Sequence, residues 1–199
     1  EAMRDRRLPS VSRWGRSSYE TDADLAAEAA ALGPLAAVAG FQQDAEILVV
    51  TSGTQVDKQL LDQAPSARLV VTTTSGYDHL DRGLLAERQV CAARLPLVRR
   101  DAVVDASLEL LIAGLRRSGW LREEARHGRW ARSSMPKLGM RTLRGSRVGV
   151  VGLGVIGARV AEVLAFLGAE VVATDPAVRL VGVATLSLDE MLACCDALT

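Results

Sequence analysis

The 199-residue chain balances 24 Lys and Arg against 24 Asp and Glu and is 49% hydrophobic, the make-up of one large or two small globular domains. Balanced charge leaves no overall field that favours nucleic acid or an anionic membrane, and no run approaches the ~18 apolar residues of a membrane span. The charged N-terminus lacks a signal-peptide apolar core, and the three cysteines, Cys91, Cys194 and Cys195, show no disulfide or metal spacing, so the expectation is a reducing, cytoplasmic compartment. Arginines cluster at Arg4, Arg6, Arg7, Arg13 and Arg16, and again at Arg116, Arg117, Arg122, Arg126, Arg129 and Arg132, and read as solvated faces rather than a polyanion site.

In chain order, residues 9–14 hold a short first strand. Thr21-Asp22-Ala23-Asp24 has the form of a helix start, with acids in the first turn, and the Ala-rich helix that follows stops at Gly33-Pro34. Residues 47–51 are a compact apolar strand, turned by Ser52-Gly53. Thr54-Gln55-Val56-Asp57 then opens a helix with Val56, Leu60 and Leu61 on one face. The strand at 69–71 ends in Thr72-Thr73-Thr74-Ser75-Gly76, Asp81 caps a short helix through Leu84 and Leu85, and 90–93 is a further strand. Alternating strand and helix predict an α/β domain on a parallel sheet. Leu95-Pro96-Leu97 breaks the pattern and is the candidate hinge. The helix at 102–115 is apolar on most sides, which predicts burial between layers. A polar helix or loop follows to Arg132, then a loop rich in Ser, Gly and Arg over 133–146.

Residues 147–175 carry the strongest signal. An apolar run, 148–151, precedes Gly152, Gly154 and Gly157 at the spacing G-x-G-x-x-G. Val160, Val163, Leu164 and Leu167 make a helical stripe closed by Gly168, and a second apolar run at 171–173 ends on Asp175. Strand, glycine turn, helix, strand and acid is the order of a dinucleotide-binding βαβ unit. The first glycine allows a tight turn, the second lets a pyrophosphate approach the backbone, and the third lets the helix pack close. The helix N-terminus offers N–H groups and positive potential to the phosphates. Asp175 can accept both adenosine ribose hydroxyls and repel a 2′-phosphate, favouring NAD over NADP, with Arg179 close enough to weaken that preference. Beyond it, 186–192 reads as a short helix and 196–199 as the opening of a strand, so only about three strands follow Gly152 where a doubly wound domain usually has six in all.

Three segments together resemble the D-isomer-specific 2-hydroxyacid dehydrogenases: residues 44–54 with Leu60-Leu61, residues 75–81 (Ser-Gly-Tyr-Asp-His-Leu-Asp, similar to the family's G-x-D-N-I-D), and Leu143-Arg144-Gly145 running into Gly152–Gly157 and Asp175-Pro176. The resemblance covers about residues 40–199. It implies two doubly wound α/β parallel-sheet domains with the active site in the cleft: a flavodoxin-like substrate domain over 1–98 and an incomplete Rossmann NAD-binding domain over 99–199. It places Gly152, Gly154, Val155, Ile156, Gly157 and Asp175 on NAD, and Ser52, Gly53, Thr74, Ser75 and Gly76 on a small 2-hydroxy or 2-keto acid, with the 74–76 backbone holding its carboxylate. Asp105 stands where the family often has Glu. The family's chemistry is hydride transfer between substrate C2 and nicotinamide C4, served by an Arg, a Glu or Asp, and a His that all come after the point matching Thr199. None is expected in this chain, so no catalytic or metal-binding residue is assigned and the chain alone is expected to be inactive. His79 and His127 read as structural or solvated. The alternative is a non-catalytic NAD-binding module, as in the family's corepressor branch. A homodimer through the nucleotide domain, including 102–132, is also implied. The 72–75 run has no Arg or Lys for a substrate phosphate, which argues weakly against phosphoglycerate.

Overall fold

The computed structural model describes residues 7–199; Arg4 and Arg6 of the first arginine cluster lie outside them. The chain divides into two compact units, one ending at Pro96 and the other beginning at Leu97.

In the first unit the elements are β1 (Ser10–Arg13), α1 (Asp22–Leu32), β2 (Ala37–Val38), β3 (Ile47–Val50), α2 (Lys58–Gln63), β4 (Leu69–Thr72), α3 (Arg82–Glu87) and β5 (Cys91–Arg94). All strands pair in parallel, in the order β2-β1-β3-β4-β5. That is the flavodoxin-like order 2-1-3-4-5, in which the crossovers place helices on both faces. β-Branched Val and Ile in β3 and β4 suit strands buried on both sides. Leu48, Val50, Val70, Leu61 and Leu85 form the core, joined by Trp14, whose indole Nε1 donates to Gln43 O (3.1 Å).

Local chemistry sets the helix ends. Thr21 and Asp24 form a reciprocal capping box on α1. Asp57 caps α2 by accepting from Leu60 N, so that helix starts later than Thr54. Val56 lies outside it, bridged to Leu80. Asp81 caps α3 by accepting from Leu84 N (3.0 Å), as expected. The two-residue strand β2 was not expected.

In the second unit α4 (Arg100–Leu115), α5 (Ser118–Arg126) and two short 3-10 turns (Ala131–Ser133, Met135–Leu138) precede β6 (Arg147–Val151), α6 (Val155–Phe166), β7 (Glu170–Thr174), β8 (Ala184–Thr185), α7 (Leu188–Cys194) and β9 (Ala197–Leu198). The parallel sheet runs β8-β7-β6-β9. With β6 as strand 1, this is the 3-2-1-4 part of the Rossmann order, and the order reverses between β6 and β9. Ligands of such sheets bind beyond the carboxyl ends of the strands at that switch point. Val148 and Val150 of β6 and Val160, Ala161 and Leu164 of α6 are buried against one another and form the core with Val104 and Leu111 of α4.

One expectation fails here. Helix α4 is not buried on most sides. Only Val104, Leu111 and Leu115 are buried, whereas Val103, Leu110 and Ile112 are exposed, as is Asp105. Apolar content predicted contact, but the neighbours α5, α6 and β9 leave Val103, Leu110 and Ile112 uncovered. No helix among the described residues is long and apolar enough to cross a membrane.

Candidate functional site

At the carboxyl end of β6 the chain is held from both flanks before it turns. Val151 N donates to Thr199 O and Gly152 N to Thr174 O, both at 2.8 Å. Gly152 then adopts φ +91°, a conformation that side-chain-bearing residues rarely take. Gly154 is the N-cap of α6, and no side chain caps the helix. The first intrahelical bond there is Ala158 N to Gly154 O, so the N–H groups of Val155, Ile156 and Gly157 have no acceptor within the helix.

The two later glycines have different surroundings. A Cβ built on Gly154 meets nothing within 4 Å, which is open space for an incoming group. A Cβ on Gly157 falls 1.9 Å from Gly152 O and 3.0 Å from Gly152 C, so the helix reaches the turn only because residue 157 has no side chain. An uncapped helix end, open space before it and a glycine-dependent close approach are what a bound pyrophosphate requires. The residues present therefore fit a dinucleotide.

Asp175, at the end of β7, braces this loop. Its Oδ2 accepts from Leu153 N (2.7 Å), and its Oδ1 accepts from Ala177 N and Val178 N (both 2.8 Å). These backbone donors, Leu153 first, hold its carboxyl below the ordinary aspartate range, and the nearby Arg179 guanidinium adds to the effect. A carboxylate has about four lone-pair sites, so three occupied leave room for about one further donor. Asp175 thus has most of its acceptor capacity taken up by the loop it braces. Arg179 itself donates to the backbone carbonyls of Asp175 and Val178.

In the first unit, Ser52, Gln55, Thr74, Gly76, Asp78 and His79 line one shallow cavity beyond the ends of β3 and β4. Ser52, Thr74 and Gly76 of the expected substrate residues are thus brought together. Gly53 and Ser75 are not part of the lining. Gln55, Asp78 and His79 join Ser52, Thr74 and Gly76 there; the last two of these additions lie in the 75–81 segment, while nothing in the sequence marks Gln55. The run at 72–75 carries no cation of its own, but the fold brings one to it: Arg94 Nη1, from β5, donates to Ser75 O (2.9 Å). Arg94 and Arg82 also lie 5.2 and 5.6 Å from the centre of the Tyr77 ring.

The two histidines differ. His79 is buried, with Nε2 3.0 Å from Thr72 Oγ1, and burial pushes its pKa below the usual value. His127 is exposed at the end of α5, 2.9 Å from Glu123. Among the described residues no group of three or more His, Cys, Asp or Glu could hold a metal ion.

Residues 108–199 match the family model described as D-isomer specific 2-hydroxyacid dehydrogenase, NAD binding domain. A D-3-phosphoglycerate dehydrogenase of Mycobacterium tuberculosis is 35% identical over 158 residues, covering 77% of this chain and 29% of that protein. The chain belongs to the D-isomer-specific 2-hydroxyacid dehydrogenase family. A glyoxylate/hydroxypyruvate reductase of Arabidopsis thaliana is also 35% identical, over 124 residues, which are 62% of this chain and 38% of that one. The chain therefore spans well under half the length of these curated relatives. The crystal structure of a D-lactate dehydrogenase from Aquifex aeolicus, complexed with NAD and lactic acid, superposes with a TM-score of 0.76, covering 95% of this chain and 59% of that one. At 21% identity that likeness establishes the α/β fold. NAD is the cofactor of the family domain that residues 108–199 match.

Proposed function

We propose that the chain binds NAD through Gly152, Gly154, Val155, Ile156, Gly157 and Asp175 and belongs to the machinery of hydride transfer to and from a small 2-hydroxy acid. The observation that carries this reading is the contrast between Gly154, whose missing side chain leaves open space, and Gly157, whose missing side chain is required by packing. When bound, NAD supplies or accepts a hydride at nicotinamide C4. The N–H groups at the start of α6 bind its pyrophosphate, and Asp175 orients the adenosine ribose while holding the loop through Leu153. Its carboxylate disfavours a 2′-phosphate, so NAD binds more tightly than NADP. Ser52, Gly53 and the Thr74–Gly76 segment are the proposed substrate residues, with the 74–76 backbone amides taking the carboxylate.

The 199 residues hold this cofactor without ordinary turnover. His79 is committed to Thr72 and His127 lies on an exposed helix beside Glu123, so neither is placed as the acid/base of the reaction. Such a group typically contributes 10²–10⁴-fold. This supports a chain that binds the cofactor as a module, while the family reading supplies the reaction. We further propose a homodimer through α4, whose exposed Val103, Leu110 and Ile112 support it, and a reducing, cytoplasmic compartment, which three free cysteines fit.

Thermal melting with NAD tests the binding reading. Ligand at 100 times Kd stabilises by about 2.7 kcal/mol, so Tm should rise with NAD and rise less with NADP. No rise with either overturns it. Assays with glycerate, lactate and 3-phosphoglycerate should show absent or very low turnover; ordinary turnover by these 199 residues overturns the module reading.

A further inference from the structure

The cavity in the first unit is backed by a row of polar side chains whose hydrogen-bond direction is fixed by chemistry. Thr74 Oγ1 lies 3.2 Å from Gly76 O. A carbonyl only accepts, so the single hydroxyl proton of Thr74 is spent there. Thr72 Oγ1 lies 2.9 Å from Thr74 Oγ1, and with the Thr74 proton used, Thr72 must be the donor. That spends the single proton of Thr72 in turn. His79 Nε2, 3.0 Å from Thr72 Oγ1, is therefore the donor of the last bond. The chain runs one way: His79 Nε2–H to Thr72, Thr72 to Thr74, Thr74 to Gly76 O. His79 is consequently held as the Nε2–H tautomer, with Nδ1 left as its acceptor nitrogen. Thr72 and His79 are buried, and His79, Thr74 and Gly76 line the cavity, so the row runs behind the cavity wall with Thr72 as its buried link.

We propose that His79 is the positioning residue of the Thr74–Gly76 segment, acting through Thr72 to hold that turn in the form that presents its backbone amides to a carboxylate. The inference rests on the reading of 74–76 as the substrate-carboxylate segment. A hydroxyl at 72 is essential to it because only a group that both accepts and donates can join the histidine to Thr74. Thr72→Ser keeps that capacity and Thr72→Val removes it at nearly constant volume.

The test is ¹⁵N nuclear magnetic resonance on the full 199-residue chain. The His79 ring shifts should report the Nε2–H tautomer in the wild type and in Thr72→Ser, and Thr72→Val should abolish that single-tautomer signature. D-Lactate is then titrated while the Ser75 and Gly76 amides are followed. Binding should weaken roughly tenfold in Thr72→Val, the weight of one hydrogen bond lost at a buried site, and stay within about twofold of wild type in Thr72→Ser. An Nδ1–H tautomer in the wild type, or equal D-lactate binding in Thr72→Val, overturns the inference and leaves the carboxylate reading standing. A wild-type chain with the expected tautomer whose 75–76 amides ignore D-lactate overturns the carboxylate reading itself, and the inference with it.

Discussion

A methyl group added at Gly154 and one added at Gly157 meet opposite surroundings, and the pair separates binding from folding. Gly154 has φ −66°, which alanine adopts freely, and open space around it. Gly154→Ala should therefore leave Tm within about 2 °C of wild type, the scale of a surface change, and still abolish the NAD-induced rise, because the methyl occupies the approach of the pyrophosphate. Gly157→Ala places its methyl on the Gly152 carbonyl, a backbone atom that cannot swing aside. It should cost about 1–3 kcal/mol, as overpacked sites do, visible in a melt without cofactor. The reverse pattern, a stable Gly157→Ala or an unstable Gly154→Ala, contradicts the described loop. His79 gives a pH prediction. Burial is the main cause lowering its pKa, with Asp78 opposing in part. Between that lowered value and the ordinary ~6.5 the unfolded chain binds the proton and the folded chain does not, so stability rises with pH across this window and is lost on acidification. From about pH 7.5 to 5.5 the Tm of His79→Gln should fall less than that of the wild type. Parallel slopes count against a neutral, buried His79.

Helices α4 and α6 are both apolar and each buries three residues. Helix α6 lies over β6 with Val160, Ala161 and Leu164 buried and Phe166 exposed at its end, and α4 leaves Val103, Leu110 and Ile112 exposed, Leu110 by almost three-quarters. If α4 is the dimer face, Leu110→Glu should shift the chain to monomer in light scattering at a few micromolar while its Tm changes by no more than a surface substitution allows. An oligomeric state unchanged by the charge removes α4 from the interface. The same two helices mark what could be read from sequence. Strand, glycines, α6 and Asp175 were legible because each conformational need names its residue: positive φ and close approach need glycine, and a turn of backbone N–H groups suits an acid. The exposure of α4 was not legible, because apolar content does not say which neighbours exist. Two-residue strands such as β2 and β8 carry no period to detect. The role of Asp175 on Leu153 and the row from His79 to Gly76 were hidden for another reason. Both join residues through contacts that only the fold creates, as with the 22 positions between Leu153 and Asp175.

Across the whole molecule, the two units each have their own core, one built on β3 and β4 and the other on β6, α6 and β7. Because the glycine loop, helix end and Asp175 all belong to the second unit, NAD should slow hydrogen exchange first in residues 147–175 and leave β3 and β4 of the first unit at their original rates. Protection that begins in 47–72 without change in 147–175 would contradict this placement. In both units the polar sites lie beyond the carboxyl ends of parallel strands, β3 and β4 in one and β6 and β7 in the other, where the open turns of such sheets gather.

The row that ends on the Gly76 carbonyl has one more consequence. Proton conduction along hydroxyls needs every member, the last included, to hand its proton onward and then reorient. A carbonyl has none to give, so a proton arriving at His79 Nδ1 finds no exit through Thr72 and Thr74. The row is an insulator for protons: it can hold the Thr74–Gly76 segment in place without feeding a proton to the cavity.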